Sequence, residues 1–471
     1  MNKFLSLVIA AVILTTSCRK IEEDVTIIGG GGTTDSTVEN TVLEGKISTD
    51  RTLKANYVYK IRGIVYVVNG AKLTIEPGTI IHGEKGATSR GTLVITKGCQ
   101  IVADATKDNP IVFTSDQSSP ARGDWGGIVI LGNAKTNSSY NGVAGVGSVE
   151  GGVNNAEGLG LYGGTNDADN SGVLRYVRIE YAGYAYLPDN ELNGLTMAGV
   201  GNSTVVDYVE IFKANDDAIE CFGGSVNLKH TIFISTLDDD FDTDNGWSGK
   251  VQWGIVMRDS AVADISKSES FESDNDANGS TLTPQTNGVY SNITVVGPRA
   301  TTANIGNSLF LAGAQIRRYS SISIFNSVIM GYPTGLLIDG SKGTPTDLNI
   351  AANTLFVQHT IIAGAAIPVN YSASTSSHTD WTPEIATAWF NTAEYGNGIL
   401  ATNDEVKLAA PFNYSSPDFT PQEGSPLLTG ADFTNSKLAG FTPTTYRGAV
   451  GPVGSADADW YKGWSKLNLG L

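Results

Sequence analysis

Cysteine is scarce: three occur in 471 residues, at positions 18, 99 and 221. None has the C-x-x-C spacing of a zinc or redox site. Cys99 and Cys221 lie in apolar or turn contexts, which predicts two buried thiols and no disulfide framework. Histidine is as thin, with only His82, His230, His359 and His378. No G-x-S-x-G elbow sits between a strand and a helix and no phosphate-cradling loop is present, so nucleophilic and P-loop chemistry are not supported. Basic charge is also short. Against 48 Asp and Glu there are 31 Lys and Arg, a net charge of −17. Without a basic stripe the chain cannot grip a phosphate backbone, which argues against nucleic acid and leaves divalent cations or neutral glycans as better-matched ligands.

The N-terminus reads as a processing segment. Lys3 precedes the apolar run from Leu5 to Leu14, which is too short for a permanent span of about 20 residues. Thr15-Thr16-Ser17-Cys18 follows. A small residue before a Cys here resembles a bacterial lipobox, although Thr15 departs from its usual aliphatic residue. The resemblance implies a signal peptide over 1–17 and lipidation of Cys18. Lys20, Glu22, Glu23 and Asp24 resemble the signal that exports lipoproteins of Bacteroidota to the cell surface. Residues 18–41, with Gly29 to Gly32, form a tether whose reach is roughly 25 Å. The expected location is the outer membrane, lipid-anchored, facing the cell surface.

Glycine is plentiful, with 55 Gly and 16 Pro, which points to many turns rather than long helices. From about 42 to 375 short β runs alternate with turn residues. Leu73-Thr74-Ile75 and Leu93-Val94-Ile95 align at a 20-residue offset, which predicts Ile75 over Ile95 and Gly78 over Gly98. Residues 203–224 align without gaps on 225–246, which places Asp207 under Lys229. A longer step sets Tyr176 beside Tyr208 and Arg178 beside Glu210, and His230 aligns with Tyr208 as a stacked strand residue. Three acidic turns recur: Asp216-Asp217-Ala218-Ile219-Glu220, Asp238-Asp239-Asp240-Phe241-Asp242 and Glu269-Ser270-Phe271-Glu272. Aligning Ile219, Phe241 and Phe271 puts Glu220, Asp242 and Glu272 in one column and Asp244 and Asp274 in another. Self-similarity in register separates a solenoid from a β-sandwich. The predicted fold is all-β, a right-handed parallel β-helix over 42–375. A long Gly- and Asn-rich loop over 133–172 interrupts it, and an irregular C-terminal cap over 376–471 closes it, with Trp460 and Trp464 as anchors.

Gly123-Asp124-Trp125-Gly126-Gly127, Gly172-Val173-Leu174-Arg175-Tyr176, Asp238 to Gly249 and Tyr446-Arg447-Gly448-Ala449 resemble a family of uncharacterised Bacteroidota surface lipoproteins. The resemblance covers about residues 60–465. It implies a pectin-lyase-like β-helix and carries no established activity or catalytic set.

Stacked carboxylates repel by about 3.5 kcal/mol per neighbouring pair at an effective dielectric of 20, and a bound Ca²⁺ relieves that cost. The candidate metal ligands are Glu220, Asp242, Asp244, Glu272, Asp274 and Asp276. The last two open Asp274-Asn275-Asp276-Ala277-Asn278-Gly279, which matches the first half of a calcium loop, although Gln285 stands where the closing Glu belongs. Trp247 and Trp253 are candidate sugar platforms. The leading expectation is a non-catalytic cell-surface β-helix that binds glycan or matrix, or serves as a structural component of an outer-membrane assembly. The alternative is a calcium-dependent polysaccharide lyase on uronic-acid polymers, with Lys213 or Lys250 as base.

Overall fold

The computed structural model describes residues 39–470, apart from 87–88, 188–189, 305 and 374–379. The signal peptide, Cys18 and most of the tether lie outside the described residues. From Val42 onward the chain winds into a right-handed parallel β-helix. Each coil lays strands on three faces. The second face runs through Lys72–Ile75, Gln100–Asp104 and the first halves of Gly172–Glu180, Val205–Phe212, Asn227–Ile234 and Lys250–Met257. The second halves of those four long strands belong to the first face, with Ile111–Ser115 before them and Val328–Met330 and Ile361–Ala363 after. The third face carries Thr92–Ile95, Gly127–Leu131, Leu195–Ala198, Ile219–Phe222, Phe241–Asp244, Phe271–Ser273 and Ala312–Arg317.

Alternation along each strand fills the interior. Leu174, Val206, Leu228, Val251, Tyr290, Ile324 and Val357 stack as one inward column, and all are buried. No coil could bury these side chains alone, so each depends on its neighbours.

The corner between second and first faces is made by single residues at positive φ, five of them inside continuous strands and the last two, Asn326 and His359, between consecutive short strands. They are Tyr176 (50°), Tyr208 (55°), His230 (49°), Trp253 (62°), Asn292 (58°), Asn326 (50°) and His359 (53°). Such φ values are strained for bulky side chains. Here the side chains stack across the coils: Tyr176 on Tyr208 at 4.3 Å, Tyr208 on His230 at 4.2 Å, and His230 on Trp253 at 4.7 Å. Each contact offsets part of the backbone strain. The register expected for Tyr176 with Tyr208, Arg178 with Glu210 and Asp207 with Lys229 is present.

Two expectations need correction. Ile75 does not lie over Ile95. Leu73 pairs with Ile101 on the second face, whereas Leu93 pairs with Val65 and Ile128 on the third. The 20-residue offset is therefore the step from one face to another within a coil. A strand–turn–strand pattern recurs at every corner, so local similarity cannot separate a corner from a full turn.

The C-terminal region is the second correction. Gly398–Leu400 still pairs in parallel with Ile361–Ala363, so the solenoid continues into the stretch expected to be cap. The helix Pro383–Phe390 closes the end, burying Ala386 and Phe390. Residues beyond it form a strap along the outer side of the first face. Phe419, Trp460, Tyr461 and Trp464 pack there on Phe212, Ile232, Ile234, Ile255 and Met257. Those strands are apolar on both sides, and a cover is the only way to keep the outer side dry. The strap is fastened by charge as well. Glu210, pushed up to about 8 by burial, accepts the Lys466 backbone N–H through both carboxylate oxygens at 2.9 and 2.8 Å. The Lys466 ammonium meets Glu180 at 2.9 Å. Trp464 is buried edge-on against Tyr176 and Tyr208. Trp464→Ala is expected to cost about 3–5 kcal/mol, read as a lowered midpoint in urea. An unchanged midpoint would show that the strap adds nothing to the rod.

Candidate functional site

On the third face the apolar residues Ile219, Phe241, Phe271 and Ala314 point inward, with Phe241 and Phe271 stacked at 5.2 Å. Because strand side chains alternate, Thr196, Glu220, Asp242, Glu272 and Gln315 form one outward column. The next outward position holds Phe222, Asp244 and Asp274. The acids expected to align are thus brought together.

A second acidic stack lies in the turns that lead into these strands, and reading the sequence missed its role. The Asp239 backbone N–H donates to Asp217 Oδ1 at 2.9 Å, and the Glu269 N–H donates to Asp239 Oδ1 at 2.6 Å. Each buried carboxylate holds the coil that follows. The only signal was the shared spacing of the turns. This stack meets the outward column. One ligand oxygen each from Asp217, Glu220 and Asp242 lie within 4.8 Å of one another, and so do those of Asp216, Asp217 and Asp238. Three carboxylates at that spacing suit a single hard cation.

Electrostatics divide the ladder in two. Burial is the main cause that pushes Asp216, Asp217, Glu220, Asp239, Asp242 and Asp244 well above the usual carboxylate range, and neighbouring carboxylates add to it. Burial likewise pushes Asp238 up to about 7 and Glu269 up to about 8. At the far end two arginines neutralise the charge. Arg317 pairs with Glu272 and, at 3.3 Å, with Asp274, while Arg318 meets Asp274 at 2.8 Å. Asp274 is still pushed up to about 7, chiefly by burial. The interior holds one more pair, Arg258 with Asp240 at 3.0 Å, both fully buried.

The segment with calcium-loop spacing folds onto itself. Asp276 accepts the Asn278 N–H at 2.9 Å, the Ser280 N–H at 3.0 Å and the Ser280 hydroxyl at 2.6 Å. Asp244 accepts the Asn245 Nδ2 at 3.0 Å. Among the six expected ligands, Glu220 and Asp242 are the two in the convergent cluster.

The other candidates sit elsewhere. The Lys213 ammonium donates to the Leu469 carbonyl at 2.7 Å, and that of Lys250 donates to the Ala439 carbonyl, so both face the strap. Trp247 is fully buried beside Tyr290. Trp253 is buried, stacked on His230, and donates its Nε1–H to the Tyr446 hydroxyl at 3.0 Å. Neither ring offers a face to a sugar. Both were candidates for a sugar platform because tryptophan in a turn-rich region reads the same whether it anchors or binds, and both prove to be packing anchors.

The long loop borders the ladder. Thr136 donates to the Asn245 carbonyl at 2.9 Å and Asn137 to the Asn275 carbonyl at 2.8 Å. Two short hairpins, Ser139–Tyr140 with Val143–Ala144 and Gly147–Ser148 with Leu161–Tyr162, shape it. Between loop and ladder runs an open groove of about 440 Å³, whose lining includes Ser138, Tyr140, Glu150, Tyr162, Phe222, Asn245 and Asp276. Among the described residues its lining includes no lysine or arginine.

The pectate-lyase-like β-helix domain model matches residues 45–404. The chain belongs to that family. No curated protein and no solved structure matches it. Within this β-helix domain the match ends just past the last parallel strand, Gly398–Leu400, and leaves the strap outside it.

Proposed function

We propose that this β-helix protein is lipid-anchored at the cell surface through Cys18 and binds glycan or matrix without cleaving it, alone or as part of an outer-membrane assembly. The observation that carries the reading is the groove. It holds about 440 Å³, is lined by serine, asparagine, tyrosine and phenylalanine together with the carboxylates Glu150 and Asp276, and has no basic side chain among its described lining. Sugars favour such a mix of aromatic and hydrogen-bonding surface. Calcium at Asp217, Glu220 and Asp242 is the proposed stabiliser of the neighbouring wall.

The second reading, a calcium-dependent polysaccharide lyase, draws on the pectate-lyase-like family. A lyase needs a base beside the substrate's acidic carbon, and both lysines weighed for that role are engaged with the strap. One experiment separates the two. The full chain is offered neutral and uronic-acid polymers in calcium, with retention on affinity gels and ultraviolet absorbance both followed. Retention without unsaturated product is expected, weakened about tenfold by Tyr140→Ala. Product that disappears in Lys213→Ala or Lys250→Ala would overturn the reading in favour of the lyase. Cys18→Ser is expected to move the protein from the membrane fraction to the soluble one. Retention in the membrane would remove the anchor.

A further inference from the structure

A second recess lies on another face of the rod, away from the acidic ladder. It holds about 320 Å³ and is lined by Asn227, Leu228, Lys229, Lys250, Gln252 and Phe441 with Gly440. The strap forms one wall and the outer side of the second face forms the other. Lys229 and Gln252 are register neighbours on adjacent strands. Lys250 stands two residues before Gln252, so it lies diagonally across from Lys229 on the same outward side.

Two features set these lysines apart in a chain of net charge −17. Among the described residues neither ammonium has a carboxylate within ion-pair distance. Asp207, the register neighbour of Lys229, is engaged with His230 Nδ1 at 2.8 Å. Each ammonium is instead set over a ring, Lys229 over Trp253 at 6.0 Å and Lys250 over Phe441 at 5.7 Å. Contact with a π face orients a cation without cancelling its charge. The strap also fixes Lys250 through the Ala439 carbonyl, while Gln252 is tied to Thr442 by Nε2 to the carbonyl at 2.7 Å and by Oε1 from the N–H at 2.9 Å. The recess is a built basic pocket, absent from the reading of the groove and independent of it.

We propose that this recess binds a phosphate or sulfate monoester. A flat carboxylate is best met by the planar fork of an arginine, whereas two separate ammonium groups are point charges that suit a tetrahedral polyanion. The ester's carbon side would lie toward Phe441, and the Asn227 amide, whose Oδ1 accepts the Lys250 backbone N–H at 2.9 Å, borders the same recess.

Calorimetric titration of the full chain tests this with inorganic phosphate, glucose 6-phosphate, galacturonate, and phosphatidylcholine vesicles with and without phosphatidic acid. Glucose 6-phosphate is expected to bind, more tightly than inorganic phosphate, with affinity falling as salt is raised. Lys229→Ala and Lys250→Ala should each weaken it about tenfold, and Tyr140→Ala should leave it unchanged. Lys229 is exposed, so its replacement does not threaten folding. Lysine-dependent binding to phosphatidic acid vesicles alone would keep the phosphate chemistry and assign its source to a lipid headgroup. Equal binding of galacturonate, no binding of any probe, or binding indifferent to both lysines would overturn the proposal. Failure of the groove to retain glycan would not bear on it.

Discussion

Without divalent cation, the protein is expected to lose stability as pH rises from about 5 to about 8, by on the order of 5 kcal/mol in sum. The sign follows from the protons bound. In the unfolded chain these carboxyls ionise near pH 4. In the fold, burial holds Asp238 near 7 and Glu269 near 8, and raises Asp217, Asp239 and Asp242 as well. Between those limits the folded state binds more protons than the unfolded state, so stability falls with each step upward in pH and levels off above the folded values. A cation reverses the trend, because it binds the ionised form that the fold otherwise resists. Calcium is therefore expected to raise the melting temperature at pH about 8 and to change little at pH about 5.

Asp217→Asn separates the two effects. It keeps an oxygen to accept the Asp239 N–H and removes one charge. It should stabilise the cation-free protein at the upper pH and abolish the gain from calcium. Differential scanning calorimetry with and without chelator reads all of this. A melting temperature that climbs with pH in chelator, or that ignores calcium at the upper pH, would refute the cation site.

Replacing Arg258 with Met should be among the most damaging single changes, at about 3–5 kcal/mol. The guanidinium lies fully buried against Asp240 at 3.0 Å, over the Phe310 ring at 5.2 Å, and near the Leu237 and Glu269 carbonyls. Removing it leaves the Asp240 carboxylate without its countercharge in a dry interior, held only by hydroxyl donors such as Ser270 at 2.8 Å. Asp240→Asn added to Arg258→Met should recover part of the loss, since the remaining charge is then gone. Chemical denaturation of the two single variants and the double variant closes the cycle. A loss under about 1 kcal/mol for Arg258→Met would mean that the pair is not buried as described.

Both results bear on how much was legible beforehand. The columns Glu220–Asp242–Glu272 and Tyr176–Tyr208–His230 could be read because a parallel in-register solenoid sets equivalent residues of successive coils side by side. The acidic turns could be read too, but their hydrogen-bonded stack could not, because nothing in Asp217 or Asp239 says whether the side chain faces water or the next coil's N–H. The partners of the ladder were hidden for a different reason. Arg317 ends a strand, with Arg318 just after it, that is separated from Glu272 by a long excursion between coils, so no fixed period connects them. The burial of Trp247 and Trp253 and the removal of Lys213 and Lys250 toward the strap depend on contacts between distant segments.

The sequence alone determined the winding, the three acidic turns and the register of the coils that carry them, since each follows from spacing that repeats with the coil, but not the register of the 73–95 stretch, where a corner mimics a full turn. Tertiary structure decided which carboxylates meet arginine, which converge on Asp217, and which side of the rod the last residues cover. Those outcomes depend on excursions of unequal length folding back to touch, and their meeting points are set by packing in three dimensions rather than by any interval along the chain.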